Sequence, residues 1–408
     1  HPTLLFTRNH ISDRDGTLKQ RPVYAVDDLF ILIEVMLTFP LLVMARSASC
    51  CIMYGLETIR GSNVFLDQVA QQLRFTSFFT IDWSSFDQRL PRVITDIFYT
   101  DFLESLIVIN HGYQPTWQYM SYPDLTPEKL FTRMSNLLHF LHTWYNNMVF
   151  LTADGYAYLR TYAGVPSGLY NTQYLDSFGN LFLILDGMIE YGMDDDTITN
   201  VLLFIMGDDN SGFTYWTISF LDSFITWFEQ YAHTRYNMIL SRSKSVITPF
   251  RNRIETLSYQ CNFGNPIRPL GKLVAQLCYP ERGPDDKYMS ARAIGIAYAA
   301  AAMDRTFHAF CEDIYHTFLP YAVPITEQSI HFVIRSLPGY LRAFDSIMTE
   351  IDFTQFPTLN DIRAKYRFWQ GPLTYDPKWN YAHFVNSPNV IPPDAETILQ
   401  YRERNSIP

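Results

Sequence analysis

Val201-Leu202-Leu203-Phe204-Ile205-Met206-Gly207-Asp208-Asp209-Asn210 is the stretch that decides the reading of this chain. An apolar run enters it, and a second apolar, aromatic run, Phe213-Thr214-Tyr215-Trp216, follows. Two such runs around a turn predict a β-hairpin with adjacent carboxylates at its tip. Neighbouring acids at a tight turn repel each other and stay ionised most readily with a cation between them. Hard divalent ions such as Mg²⁺ are held by one or two carboxylates together with substrate phosphates, so the tip points toward phosphoryl-transfer chemistry. Alone, Gly-Asp-Asp is a weak signal. At ordinary residue frequencies about one chain in ten of this length carries it by chance, and Gly and Asp also favour a plain type I′ turn. The ordered company it keeps carries the argument.

Upstream, Phe78-Phe79-Thr80-Ile81-Asp82-Trp83-Ser84-Ser85-Phe86-Asp87 reads as an apolar strand running into Asp82, with a second acid five positions later. A carboxylate at a strand's end can face the tip of another strand. Asp82 and Asp208 are then placed to share two metal ions, which lie about 3.5–4 Å apart in such sites. Asp87 falls at the start of a helix and points into the same cleft. The structural alternative is a helix capped by Ser84 or Ser85, with Asp87 in its first turn. Between the two acidic segments lies Gly164-Val165-Pro166-Ser167-Gly168-Leu169-Tyr170-Asn171-Thr172, a loop entering a helix. On that helix Thr172, Asp176 and Asn180 stack four residues apart, while Leu175, Phe178, Leu181 and Phe182 cover the other side. A polar row on an apolar helix must be exposed or satisfied, and a groove holding template or nucleotide would satisfy it.

These segments, in this order, resemble the palm motifs of viral RNA-dependent RNA polymerases. Asp82 and Asp87 match the acid pair of motif A, Ser167, Gly168 and Thr172 the Ser-Gly-x-x-x-Thr of motif B, and Gly207, Asp208 and Asp209 motif C. The phrases Gly-Val-Pro-Ser-Gly-Leu-Tyr-Asn-Thr-Gln-Tyr-Leu-Asp-Ser-Phe-Gly-Asn and Met-Gly-Asp-Asp-Asn-Ser-Gly-Phe look most like partitiviruses and plant cryptic viruses, which have bisegmented double-stranded RNA genomes. The resemblance implies an α+β right-hand fold: fingers, a palm with an antiparallel RRM-like sheet, and a helical thumb. It implies Asp82, Asp208 and Asp209 as metal ligands, with Asp87, Asp176 and Asn180 sorting ribose from deoxyribose. Lys19 and Arg21, in Lys19-Gln20-Arg21-Pro22-Val23, look like motif F, which meets the incoming triphosphate; Arg suits phosphate because its planar fork donates in pairs. Lys244, in Ser241-Arg242-Ser243-Lys244-Ser245, falls at about motif D as the candidate general acid, and Ser258 to Pro266 resembles the motif E turn that grips the primer. One departure stands out. Many positive-strand polymerases have Asn where this chain has Asp176, and an ionised Asp only accepts. Either Asp176 binds the sugar hydroxyl directly or Asn180 takes part instead.

At 408 residues, with 48% hydrophobic and 16% aromatic residues, the chain is globular and large enough for subdomains. A net charge of −10 and a pI of about 5.4 are unlike a simple nucleic-acid-binding surface. A local basic stretch from Arg235 to Arg292 (Arg242, Lys244, Arg251, Arg253, Arg268, Lys272, Arg282, Lys287) is the expected backbone-tracking surface. Five cysteines lack zinc-ligand spacing and fit buried thiols in a reducing compartment. Leu29 to Ala45 is long and apolar, but Glu34 and Pro40 interrupt it, so a buried helix is expected rather than a membrane span.

The subdomains expected are residues 1–75, a fingers remnant with motif F; 76–110, the first palm segment; 111–163, an aromatic-rich fingers insertion; 164–284, the rest of the palm; 285–356, a helical thumb opening on an Ala-rich run; and 357–408, an irregular Pro-rich tail. A motif F-like segment so near residue 1 predicts that the N-terminal fingers and any motif G are missing. The aromatics Trp117, Tyr119, Trp144, Tyr145 and Phe150 are expected to pack in a core rather than stack on bases. The resemblance further implies Mg²⁺ (or Mn²⁺) as cofactor, RNA template, RNA product and ribonucleoside triphosphates as ligands, and a viral capsid protein as partner. It places the chain in a virion interior or host cytoplasm, without membrane association. Two alternatives compete with RNA-templated RNA synthesis. A reverse transcriptase usually has a bulky aromatic where Asp87 stands, and a non-catalytic RNA-packaging protein would be expected to lose its carboxylates first.

Overall fold

The computed structural model of the chain describes residues 2–9, 11, 16, 20–47, 49–107, 126–280, 285–326, 328–337 and 351–372. Two antiparallel strands come first, β1 (Thr3–Asn9) and β2 (Gln20–Ala25), and then the long helix α1 (Asp28–Ala45). Asp27 caps α1 by accepting the Leu29 N–H at 2.9 Å. The sequence reading expects one buried helix here, its apolar run broken by Glu34 and Pro40. The helix runs through both, since Pro40 removes one i→i−4 bond without ending it, but only one face is buried. That face holds Phe30, Glu34 and Thr38, while Leu29, Leu32, Met36 and Met44 are exposed. By length and composition α1 is the one described helix that could cross a membrane.

The sheet that carries the acids is assembled from distant segments. Helix α2 (Ser62–Gln72) leads into β3 (Ser77–Thr80) and the short β4 (Trp83–Ser84), followed by α3 (Phe86–Arg89) and α4 (Arg92–Ile97). Helix α5 (Pro127–Asn146) then feeds β5 (Val149–Thr152) and β6 (Ala157–Leu159), which extend the first hairpin into the sheet β2-β1-β5-β6, with β5 parallel to β1. Helices α6 (Thr172–Glu190) and α7 (Asp195–Thr199) precede the hairpin β7 (Leu202–Met206) and β8 (Asp209–Thr214). Helix α8 (Ile218–Tyr236), β9 (Ile239–Leu240) and β10 (Val246–Thr248) complete the palm, whose sheet order is β10-β3-β8-β7, all antiparallel.

Strand alternation divides this sheet's side chains between two cores. Phe79, Leu203 and Ile205 join the cluster with α6 and α8, while Phe78, Phe204 and Phe213 join a second cluster with Leu66 and Cys261. Phe78 and Phe213 are directly paired across β3 and β8, with ring centroids 5.1 Å apart edge to face. Each such buried side chain contributes about 1.5–3 kcal/mol, so the register that presents the acids is fixed by the aromatics behind them.

Three short strands follow, β11 (Ile254–Thr256), β12 (Tyr259–Asn262) and β13 (Asn265–Ile267), joined by the two-residue turns Leu257-Ser258 and Phe263-Gly264. All four turn residues have positive φ, the type I′ pattern. The thumb core gathers α9 (Leu270–Cys278), α10 (Asp286–Ala299), α11 (Arg305–Phe318), α12 (Ile330–Ser336) and α13 (Leu359–Tyr366). The Ala-rich α10 is a helix, as its composition predicts, and is buried from Met289 to Ala299; Leu273 and Leu277 of α9 enter the same core. Of the expected tail, residues 357–372 are described, and they are more regular than their prolines suggest. A reciprocal capping box between Thr358 and Asp361 starts α13, which buries Ile362 and Tyr366. Trp144, Tyr145 and Phe150 pack into the core as expected, Trp144 stacking on Phe30 at 4.0 Å; Trp117 and Tyr119 lie outside the described residues. The cysteines are all free thiols, with Cys261 and Cys311 buried, Cys50 and Cys51 half-buried and Cys278 exposed.

Candidate active site

The strands carrying the acids part where the chemistry begins, and side-chain amides hold them together there. The β3–β8 ladder ends at the pair Phe79↔Gly212. Beyond it, buried Asn210 takes over: its Oδ1 accepts the Ile81 N–H at 2.8 Å, and its Nδ2 donates to the Ile81 carbonyl at 2.9 Å and the Asp208 carbonyl at 3.3 Å. Asp82 is the next residue, so one amide sets the spacing between the Asp82 and Asp208 backbones. On the other strand, Met206↔Asp209 closes the hairpin around Gly207-Asp208. Gly207 has φ +62° and Asp208 does not share the positive φ, so the turn follows type II′ rather than the type I′ alternative. A Cβ on Gly207 would meet nothing within 4 Å; the glycine is there for its backbone angle.

Helix α6 carries the turn from beneath. Ser177 Oγ accepts the Gly207 N–H at 2.8 Å. Asn180 Nδ2 donates to the Gly207 carbonyl at 3.0 Å and the Asp208 carbonyl at 2.9 Å, and its Oδ1 accepts the Trp83 indole N–H at 3.0 Å. The polar row predicted on α6 therefore faces inward. Asp176 and Asn180 are buried against the hairpin, while Phe178, Leu181 and Phe182 are only partly covered. Asn180 spends its amide N–H groups on the hairpin carbonyls and accepts the Trp83 indole on its Oδ1, so here it holds the turn in place. Helical spacing gives the shared face but not what lies opposite it.

The acids crowd one another. Asp208 and Asp209 can be reached by solvent, yet enough protein surrounds them for burial to matter. Burial, then Asp208 and Asp82, push the Asp209 carboxyl up to about 6. Burial and then Asp87 raise Asp208, and Arg21 on β2 opposes the rise. Asp176, almost wholly enclosed, is raised well above the carboxylate range by burial, then by Asp87 and Asp208. Mutual destabilisation of anions is the condition that a cation relieves. Among the described residues no three His, Cys, Asp or Glu side chains gather into a cage around one ion. The donor set fits instead an ion held by one or two carboxylates and completed by phosphate oxygens and water.

The loop before α6 is clamped against β2. Ser167 Oγ donates to the Pro22 carbonyl at 3.1 Å, and a Cβ on Gly168 would stand 1.8 Å from the Tyr24 carbonyl oxygen, so only glycine permits this approach. Thr172 Oγ1 donates within the loop, to the carbonyls of Pro166 (2.7 Å) and Leu169 (3.0 Å). The Asp87 carbonyl accepts the Val165 N–H, tying the half-buried Asp87 to the same loop. Ser85 starts α3 without a side-chain cap bond. Lys244 is exposed on a turn that hangs from Asp82: the Ser241 N–H donates to the Asp82 carbonyl at 2.7 Å, and Ser245 Oγ accepts the Asp82 N–H at 3.0 Å. Lys19 lies outside the described residues.

The expected basic surface is partly consumed by structure. Arg242 pairs with Asp222, Arg251 pairs with Asp67 at 2.6 Å, and buried Arg268 lies over the Tyr259 ring at 5.2 Å. The sequence reading also missed Asn210, Ser177, Trp83 and Glu34. Asn210 could have been found from its place beside the acids on a buried strand, where an amide needs backbone partners.

This fold and this site define the right-hand nucleic-acid polymerase class. The RNA-dependent RNA polymerase of a human picobirnavirus superposes on 99% of the chain and 65% of its own, with TM-score 0.53 and 14% identity. Sicinivirus 3Dpol RNA-dependent RNA polymerase superposes on 85% of the chain and 68% of its own, with TM-score 0.57 and 14% identity. No protein-family model matches. Sequence makes the kinship narrower. The chain is 42% identical over 398 residues to the RNA-directed RNA polymerase of Atkinsonella hypoxylon virus, covering 92% of this chain and 59% of that protein. It is 27% identical over 406 residues to the RNA-directed RNA polymerase of White clover cryptic virus 1, covering 95% of this chain and 62% of that protein. The chain is a relative of viral RNA-directed RNA polymerases, as its motifs predict, and spans about three-fifths of the length of these two. These relatives lend no support to the reverse-transcriptase or packaging-protein alternatives.

Proposed function

We propose that this chain performs template-directed RNA synthesis by two-metal-ion nucleotidyl transfer. The observation that carries the reading is the convergence of Asp82, Asp208 and Asp209 at the ends of paired strands, where burial and then Asp208 and Asp82 raise the Asp209 carboxyl. Bound Mg²⁺, or Mn²⁺, would activate the primer 3′-hydroxyl and neutralise the triphosphate and departing pyrophosphate. One or two of Asp82, Asp208 and Asp209 would hold each ion, with phosphate oxygens and water completing its shell. Arg21, close enough to Asp208 to favour its ionised form, meets the triphosphate from the β2 side. Ser167 and Gly168 shape the loop against which template and nucleotide lie. Asp87 reads the ribose 2′-hydroxyl with Asp176 beside it. Lys244, on the turn fixed to Asp82, is the proton donor to the leaving group. RNA and ribonucleoside triphosphates are the ligands of this reading; a capsid protein partner and a virion-interior or host-cytoplasmic setting belong to it through the family likeness.

Metal-dependent elongation on a homopolymer template tests the proposal. Asp208→Asn removes a charge while keeping the shape, and should abolish nucleotide addition with an unchanged circular dichroism spectrum. A near-wild-type rate at saturating Mg²⁺ would remove the central claim. In the same assay with competing nucleotides, Asp87→Ala should lower use of ribonucleotides more than of 2′-deoxynucleotides, because a site built to bind a hydroxyl leaves polar groups unpaired without it. An unchanged ribo-to-deoxy ratio would assign sugar reading elsewhere.

A further inference from the structure

Behind the 164–171 loop lies a buried polar cluster that the proposed chemistry does not use. Glu34, in the middle of the apolar α1, has 0% exposure. Its Oε2 accepts the Tyr170 backbone N–H at 2.7 Å. One turn further, Thr38 Oγ1 lies 2.6 Å from the Glu34 carbonyl and 2.5 Å from Asn171 Oδ1. Asn171 is itself fully buried and stands at the N-cap of α6, where its carbonyl accepts the Leu175 N–H at 2.8 Å. The Tyr99 phenol, also buried, faces this cluster and is the titratable group beside Glu34.

A carboxyl enclosed in an apolar helix is costly, and burial does push Glu34 up to about 7, against the pull of the Tyr170 and Asn171 N–H groups. A Leu or Met there would pack at lower cost. What Glu34 adds is an acceptor for the Tyr170 and Asn171 N–H groups, just before and at the N-cap of α6, where the helix dipole favours negative charge. Two turns along the same helix, Ser177 and Asn180 bond the Gly207-Asp208 turn. The path from Glu34 to the acids is thus one rigid helix with a hydrogen bond at each end.

We propose that Glu34 is a positioning residue: through the Tyr170 N–H it seats the 164–171 loop and the start of α6, and so sets how Asp176 and Asn180 meet the acidic hairpin. The inference rests on the nucleotidyl-transfer reading of the site. It is tested with Glu34→Gln, which keeps an acceptor, and Glu34→Met, which keeps the volume without one. Amide hydrogen exchange and nucleotide-dependent elongation are measured for both.

Glu34→Met should speed exchange at residues 170–172 about tenfold, the effect of losing one charge-assisted bond, and raise the KM for nucleotide more than it lowers kcat. Glu34→Gln should restore both to within about twofold of wild type. The proposal is overturned if Glu34→Met leaves exchange at 170–172 unchanged, if its exchange rises equally across the whole chain, or if Glu34→Gln is as impaired as Glu34→Met. Failure of the functional reading looks different: wild type then makes no RNA, while the exchange measurement still decides whether Glu34 seats the loop.

Discussion

Asn210→Ala is the substitution that best separates the hardware holding the acids from the acids themselves. The wild-type amide closes two short bonds with the Ile81 peptide, 2.8 Å from its N–H and 2.9 Å to its carbonyl, and a longer one of 3.3 Å to the Asp208 carbonyl. Ile81 is buried, and the ladder between β3 and β8 has already ended at Phe79↔Gly212, so no other strand takes over its polar groups. Alanine leaves the Ile81 N–H and carbonyl unpaired at about 1–3 kcal/mol each, a loss of about 2–6 kcal/mol for the two together. Asp82 is covalently next to the freed peptide. A displacement of about 1 Å at a reacting centre can cost about 10²-fold in rate, and that is the scale expected for elongation. Urea unfolding of the two proteins gives the first quantity. Elongation at saturating nucleotide gives the second, and Mn²⁺ binding followed by electron paramagnetic resonance should weaken in parallel, independently of turnover. A variant that loses under about 1 kcal/mol and elongates at the wild-type rate would refute the reasoning, because it would show that the strand ends hold their spacing without the amide.

The pH dependence of stability should carry the signature of Glu34. Its carboxyl is raised to about 7 from an ordinary 4.5 by burial, so the folded state binds its proton more tightly than the unfolded state does. That stabilising contribution is complete below about pH 4.5 and is lost as pH rises through about 7, a difference on the order of 3 kcal/mol at about 1.36 kcal/mol per pH unit. Glu34→Gln should therefore melt higher than wild type at pH 8 and close to it at pH 4.5; thermal denaturation curves that stay parallel across this range would contradict it. Tyr99, the phenol facing Glu34, is held well above its usual range and stays neutral throughout. Lys244→Ala should slow elongation by about 10²–10⁴-fold with little change in RNA affinity if the ammonium protonates the leaving group. A change confined to RNA affinity would make Lys244 a backbone contact instead.

Much of this site can be read directly from the order of residues. The apolar runs Val201–Met206 and Phe78–Ile81 place Asp208 and Asp82 at strand ends, and a Gly-Asp turn needs only two residues to bring Asp209 alongside. Those are local signals. The features that escaped are contacts over long separations. Nothing in Thr3–Asn9 announces a parallel partner at Val149–Thr152. Periodicity shows that Asp176 and Asn180 share a face of α6 but cannot show that the hairpin covers it. Glu34 reads as an interruption in an apolar run until the Tyr170 N–H appears opposite it. Arg242, Arg251 and Arg268 look like a phosphate track because their partners, Asp222, Asp67 and the Tyr259 ring, are remote in sequence or come from other elements. The clustered prolines after Phe356 outweigh the single Thr358…Asp361 signal that starts α13.

The strand order β10-β3-β8-β7 also has a consequence for how the protein is made. β3 lies between β8 and β10, pairing Phe79 with Gly212 on one side and Ile247 on the other. During synthesis the ribosome releases Ser77–Thr80 long before either neighbour exists, and the paired aromatics Phe78 and Phe79 emerge with both strand edges bare. Pairings this distant in sequence pay their loop-closure entropy before any contact rewards it, and are slow to form. Until the chain has grown past Thr248, the acids belong to an unassembled sheet. A nascent chain therefore cannot gather its carboxylates early, and the interval before that point is when the exposed apolar strand is most open to aggregation or to capture by a chaperone.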